Sequence, residues 1–170
     1  MPDDEVDRIV AAWRRERPQI NVSALEVLSR LTRLARYLDR ARATTCAHWD
    51  LEVWEFDVLS ALRRTSAPHE LTPGQLVANT LVTSGTMTNR VDRLQQRGLV
   101  ARRPDPSDGR GIRVSLTPAG RDRIDSAFDA LLVHEEQMLA GLSADERQQL
   151  ARLLRRLGAT FESNRTAGPR

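Results

Sequence analysis

Apolar residues recur at alternating steps of four and three near both ends of the chain. Ala24, Leu28, Leu31, Ala35 and Leu38 form one stripe. Ile124, Phe128, Leu131 with Leu132, Met138 and Leu142 form a second, interrupted at Glu135, and Leu150, Leu153, Leu154, Leu157 and Phe161 form a third. This spacing predicts amphipathic helices. Their starts are marked as well. Ser23 with Glu26 reads as a capping box, with Val22 and Val27 as its hydrophobic staple, and Thr72-Pro73-Gly74-Gln75 repeats the device between Leu71 and Leu76. Thr117-Pro118 opens a further helix, and Ser143 with Glu146 opens the last. Stripes lying outside the middle of the chain can bury themselves against each other and against a second copy, which predicts a helical homodimer, with a monomeric bundle as the alternative.

The middle reads differently. Helices are expected over 51–63, 72–79 and 83–97, with ALRRTSAPHEL breaking the period between the first two and Gly98 stopping the third. Short apolar or β-branched runs at 99–102 and 112–116 read as strands, and Pro104, Pro106, Gly109 and Gly111 are expected to keep the tip between them out of regular structure. Three helices followed by a hairpin make a winged helix-turn-helix. The expected fold is therefore mainly α, a winged helix-turn-helix with a small β-hairpin wing and dimerisation helices at both ends. It divides as an extra helix in 1–20, a dimerisation helix in 21–50, the DNA-binding region in 51–116, dimerisation helices in 117–162 and a disordered tail in 163–170.

Composition narrows the class. At 170 residues, 40% hydrophobic, 29% charged and 4% aromatic, the chain suits one compact domain, or a small one with added helices. Its apolar runs fall short of the roughly 20 residues of a membrane span, and the charged N-terminus is no signal peptide, so a cytoplasmic protein is expected. Cys46 is the only cysteine, and His48, His69 and His134 are scattered, so neither metal site nor cofactor is expected. Cys46 reads as buried filler, or else as a thiol switch. No nucleophile elbow, phosphate loop or paired carboxylates point to an enzyme.

Charge adds a direction. All 26 basic residues are arginine. Between positions 90 and 113 seven of them (90, 93, 97, 102, 103, 110, 113) stand against three aspartates (92, 105, 108), a local +4. With Met87 at zero on a helical wheel, Val91 and Leu94 fall within roughly 40° and mark the buried stripe. Gly85, Asn89, Asp92, Arg93 and Gln96 lie opposite, with Ser84 and Thr88 on the flank. Asparagine can read adenine and arginine guanine in the major groove, while hydroxyls hold phosphates. The face carries neither Glu nor Lys, unlike an ordinary solvated face. Double-stranded DNA is the expected partner, through Ser84, Gly85, Thr86, Thr88, Asn89, Arg93 and Arg97, with Arg110 of the hairpin tip, steadied by Asp108, entering the minor groove. A winged helix used for protein docking is the alternative, and it would carry an apolar face here.

Asp57, within WEFDVLSAL, has Val53, Trp54, Ser60 and Ala61 as its helical neighbours, none charged. Such a carboxylate needs a partner from another element. Arg90, roughly 60° from the Met87 stripe, is the expected one, with a surface or capping role for Asp57 and a phosphate contact for Arg90 as alternatives.

These residues carry a resemblance. LTPGQL and the run from SGTMTNRVDRL through RRPDPSDGRGIRVSLTPAGR resemble the MarR family of bacterial winged-helix repressors, including its Asp-x-Arg wing motif at Asp108 and Arg110. Gly109 departs from the pattern, in which many members carry another arginine. The resemblance implies a two-fold dimer on a pseudo-palindromic operator, released by a small ligand. DRIVAAWRRERPQINVS, EFDVLSALRR and MTNRVDRL further resemble the urate-responsive, PecS-like subgroup. Carried over by position, that subgroup's purine site is Trp13, Asp57, Arg90 and Arg102, and the implied effector is urate or another purine. A phenolic acid is the alternative effector.

Overall fold

The computed structural model describes residues 3–80, 82–106 and 108–166, without the side chains of 108–110 and 162–166. Among the described residues seven helices and three strands follow in the order α1 (Glu5–Glu16), α2 (Ser23–His48), α3 (Val53–Arg63), β1 (Glu70–Leu71), α4 (Pro73–Thr80), α5 (Ser84–Gln96), β2 (Val100–Asp105), β3 (Asp108–Leu116), α6 (Pro118–Met138) and α7 (Ala144–Thr166). The chain divides into two compact units, Met1–Leu131 and Leu132–Arg170, with α6 running from the first into the second. A mainly helical winged-helix architecture is what the period of the apolar positions implies.

The first unit is built on one core. Phe56, Val58, Leu59 and Leu62 of α3 cluster with Leu76 of α4, Met87, Val91 and Leu94 of α5, Leu99, Val100 and Val114 of the wing, and Ile124 and Ala127 of α6. The stripe on α5 is the predicted one, all three of its side chains being almost fully buried. Gly98 ends α5 in the left-handed region at φ 71°, where a side chain would be strained.

Most start signals work as written. Thr72 and Gln75 cap each other reciprocally at 2.9 and 3.2 Å. Ser143 and Glu146 do the same in the second unit, at 2.8 and 3.3 Å. Thr117 Oγ1 accepts from the Gly120 N–H at 3.0 Å and donates to the Gly98 carbonyl at 2.7 Å, tying the start of α6 to the end of α5. The Ser23–Glu26 box does not form. Ser23 is already helical, its N–H donates to Asn21 Oδ1 at 3.0 Å, and Glu26 turns away to pair with Arg14. A charge-assisted guanidinium–carboxylate contact became available to Glu26 once α1 packed on α2, and it outcompetes a local cap.

The wing also departs from expectation. Strand pairing runs through the proline-containing tip: β2 reaches Asp105, β3 begins at Asp108, and the register shifts between Pro104 and Asp105. The sheet order β1-β3-β2 explains the tolerance, since β2 is an edge strand whose proline N need not donate inward. The strand β1, paired to β3 through Glu70–Ser115 and Leu71–Val114, has no signal in the sequence, because two residues carry no period. At the other end α7 continues to Thr166, past position 163 where the tail is expected to begin; residues 167–170 lie outside the described residues.

The extra helix α1 is capped by Asp4, whose carboxylate accepts from the Asp7 N–H while Asp7 returns the contact. Val6 and Val10 are buried, and α1 is pinned to α2 by Arg30 with Asp4 and Asp7, Arg33 with Glu5, and Arg14 with Glu26. The Arg30 guanidinium lowers the pKa of the Asp4 carboxyl to about 2. No helix among the described residues is long and apolar enough to cross a membrane.

Several large apolar side chains remain uncovered. In the first unit these include Val27, Leu28, Leu34, Tyr37 and Leu38 of α2 and Phe128 of α6; in the second, Leu132 and Val133 of α6 and Leu153, Leu154 and Phe161 of α7. The predicted stripes of α2, α6 and α7 thus supply much of this exposed apolar surface.

Candidate DNA interface and ligand cleft

The turn from α4 into α5 presents the N-terminal half of α5. Thr83 caps it, accepting from the Thr86 N–H, and no acidic residue lies in its first turn, so the positive end of the helix dipole is uncompensated. Ser84, Gly85, Thr86, Thr88 and Asn89 are exposed, opposite the buried Met87–Val91–Leu94 stripe. The predicted polar face therefore exists as one continuous surface. The side chains of Asp108 and Arg110, expected at the wing tip, lie outside the described residues.

The arginines behave differently from the local count. Arg97 donates to the fully buried Glu55 and to Asp50 at 2.6 Å, and it bonds the Asp50 carbonyl as well. Arg97, expected to contact DNA, thus also ties the end of α5 to the α2–α3 junction. Arg102 pairs with Asp92 at 2.5 Å, Arg103 with Glu70 and Arg113 with Asp105 at 2.7 Å. Arg93 pairs with Glu52 at 2.7 Å and lies 4.9 Å from the Trp54 ring centroid; Arg90 lies over the same ring at 5.4 Å. The Trp54 indole N–H and then the Arg93 guanidinium hold the Glu52 carboxyl below the usual range. Arg103 does the same to Glu70. Much of the apparent +4 is thus neutralised by acids from outside the segment. Sequence reasoning misses Glu52 and Trp54, since they lie about forty positions from the arginine they meet and no local spacing links them.

The expected Asp57–Arg90 pair is also replaced. Asp57 bonds Arg42 of α2, which further lies 5.1 Å from the Phe56 ring centroid. Arg42 comes within reach because α2 packs along α3, whereas Arg90 is drawn to the flat face of Trp54. Trp13 is about half exposed on α1. Among the described residues no hydrogen bond, ion pair or ring contact joins any two of Trp13, Asp57, Arg90 and Arg102. One feature of the set does point to a ligand: Arg102 Nε is buried and has no hydrogen-bond acceptor.

A separate cleft of about 510 Å³ opens between α3 and α6, lined by Ser60, Arg63, Arg64, Ile124, Asp125 and Phe128 among others. Arg63 pairs with Asp125 at 2.7 Å across it, and the buried Ser60 Oγ lacks a partner. Cys46 is fully buried, which pushes its thiol up and leaves it a filler rather than an accessible switch. Among the described residues no cluster of His, Cys, Asp and Glu is arranged to hold a metal.

Comparison with known proteins matches this geometry. The model of the MarR family matches residues 49–111, from just after α2 into β3 of the wing. The chain is 34% identical to the HTH-type transcriptional regulator PecS of Dickeya dadantii over 161 residues, covering 95% of this chain and 97% of that one. Among solved structures, a cysteine-to-serine mutant of MarR from E. coli complexed with operator DNA matches at 26% identity and a TM-score of 0.66, over 85% of this chain and 96% of that one. BpsR of Bordetella bronchiseptica, whose DNA binding is regulated by 6-hydroxynicotinic acid, matches at 27% identity and a TM-score of 0.65, over 78% and 92%.

Proposed function

The chain belongs to the MarR family of DNA-binding transcriptional regulators, and from that premise we propose that it is a homodimeric repressor of a pseudo-palindromic promoter operator, released by urate or a related purine. Fold and relatives alike are those of regulators and not of enzymes.

The observation that carries the DNA part is the exposed Ser84–Asn89 surface at the positive end of α5, backed by a fully packed stripe. Hydroxyls and helix N–H groups there fix phosphates, and Asn89 and Arg93 reach base edges. Operator affinity is expected to fall steeply with salt, with a log–log slope on the order of −5 or steeper for a dimer. Asn89→Ala should relax base preference at roughly 1–3 kcal/mol, whereas Arg110→Ala should weaken binding with little change of preference. Gel-shift titrations across salt and across operator variants check both, and a flat salt response overturns the assignment.

The ligand part is supported by Arg102. A planar anion offering an acceptor to its buried Nε would compete with Asp92 for the same guanidinium. Asp92 sits on α5, so the ligand reaches the recognition helix through the Arg102–Asp92 pair, a route that does not need Asp57 to meet Arg90. Trp13 supplies a flat wall. Urate is expected to quench Trp13 fluorescence and release the operator, and Arg102→Gln or Trp13→Phe to blunt that release while leaving the fold intact. The readout is the change in operator affinity on adding ligand, which separates coupling from basal binding. If purines leave operator binding unchanged, an aromatic acid becomes the reading to pursue. The α3–α6 cleft favours that second reading, since Arg63 and Arg64, the free Ser60 Oγ and the apolar walls of Ile124 and Phe128 suit a ring bearing a carboxylate.

A further inference from the structure

Gly85, Asn89 and Arg93 follow one another at steps of four along the exposed side of α5, so Arg93 closes the stripe that faces DNA in the reading above. Its guanidinium is held from two sides. Glu52 Oε1 takes its Nη2 hydrogen at 2.7 Å, and the Trp54 ring lies 4.9 Å away, itself fixed to Glu52 Oε2 by its indole N–H at 2.5 Å. Both charged side chains remain more than half exposed, so the pair contributes little to folding and is reachable by a third party. Nε and Nη1 of Arg93 donate no hydrogen bond among the described residues.

We propose that Glu52 is a specificity-determining residue: it neutralises Arg93 toward phosphates while holding its free N–H groups in position for a base edge. A phosphate contact draws its energy from net charge and counterion release, and an arginine already paired with a carboxylate offers little of either. A guanine edge is recognised by directed hydrogen bonds, which survive the pairing because the fork retains unused donors. The carboxylate therefore penalises binding to arbitrary duplex more than binding to the operator. Trp54 keeps the guanidinium plane from swinging toward the backbone.

This inference rests on the DNA-binding reading, and the two fail differently: the reading fails if the wild-type protein shows no preference for operator over random duplex, whereas the inference is tested by variants against a wild type that does. Glu52→Gln removes the charge and keeps one acceptor oxygen, which can serve Arg93 or Trp54 but not both. Expected are a rise of about threefold per subunit in affinity for random duplex, a random-duplex salt slope steeper by roughly 0.9 per subunit, and a smaller operator-to-random ratio. The double variant Glu52→Gln with Arg93→Gln replaces a neutral pair by a neutral pair. It should bind random duplex as the wild type does while losing operator affinity, and this holds as a test even if Glu52→Gln alone proves poorly folded by its melting curve. An unchanged salt slope and ratio in a folded Glu52→Gln protein, or a double variant that gains on random duplex, overturns the proposal.

Discussion

Truncation after Ser143, which removes α7, is expected to leave a monomer or an aggregate that no longer binds the operator. The helix has little of its own to hide its apolar residues in: Leu153 is 51% exposed and Phe161 62%, and its stripe recurs at the spacing of a packed helix. On a stable chain such a surface is covered, and a second copy is the cover proposed for it. Two half-sites engaged by one dimer gain effective concentration, so loss of pairing should lower operator affinity by about 10²- to 10⁴-fold with every DNA-contacting residue intact. Light scattering after size exclusion, run beside gel shift, reads both consequences. A monodisperse monomer that still binds the operator removes α7 from the dimer.

Gly120→Ala is expected to be strongly destabilising, since of the described glycines Gly120 has the closest backbone approach. A Cβ built there would stand 1.9 Å from the Leu99 carbonyl oxygen and 2.9 Å from its carbon, both backbone atoms of the turn into the wing. That turn cannot yield, because Leu99 O also accepts from the Thr117 N–H at 3.1 Å and Gly98 O from Thr117 Oγ1. Overpacking of this kind costs roughly 3 kcal/mol, or about 6–12 °C of melting temperature in a chain of this size. Gly158→Ala is the matched control. It meets nothing within 4 Å, lies inside α7, and should be neutral or stabilising by up to about 1 kcal/mol. Equal melting shifts for the two would show that the close approach at Leu99 is not rigid.

What is legible in the sequence is whatever depends on neighbours a few positions apart. The Thr72–Gln75 and Ser143–Glu146 boxes, the Gly98 stop and the Met87–Val91–Leu94 stripe are all such features, and each stands where the spacing puts it. The departures share the opposite property. Counting arginines between 90 and 113 yields a net charge, but Glu52, Glu55, Asp50 and Glu70 arrive from earlier in the chain to cancel it. Asp57 does take its partner from another element, yet which arginine supplies it depends on how α2 lies along α3. The Ser23 box fails through the same kind of competition, as Glu26 finds Arg14 on a helix twelve residues back. Local pattern decides the elements, and long-range electrostatics decides which side chains are left free at the site.

Asp50 stands at the α2–α3 junction with φ at 52°, and its carboxylate takes hydrogen bonds from Arg97 at the end of α5 and from Arg123 of α6 at 2.8 Å. In mechanical terms it is a shared bearing. The end of α5 and the face of α6 both hold this one carboxylate, which adds a polar joint to the apolar core and the Thr117 bonds that already link the two helices. Neither arginine can re-aim without altering the grip on the other. An asparagine would tolerate the same left-handed backbone but offer a single uncharged acceptor, so it would loosen the hold on one arginine while leaving the core between the helices in place.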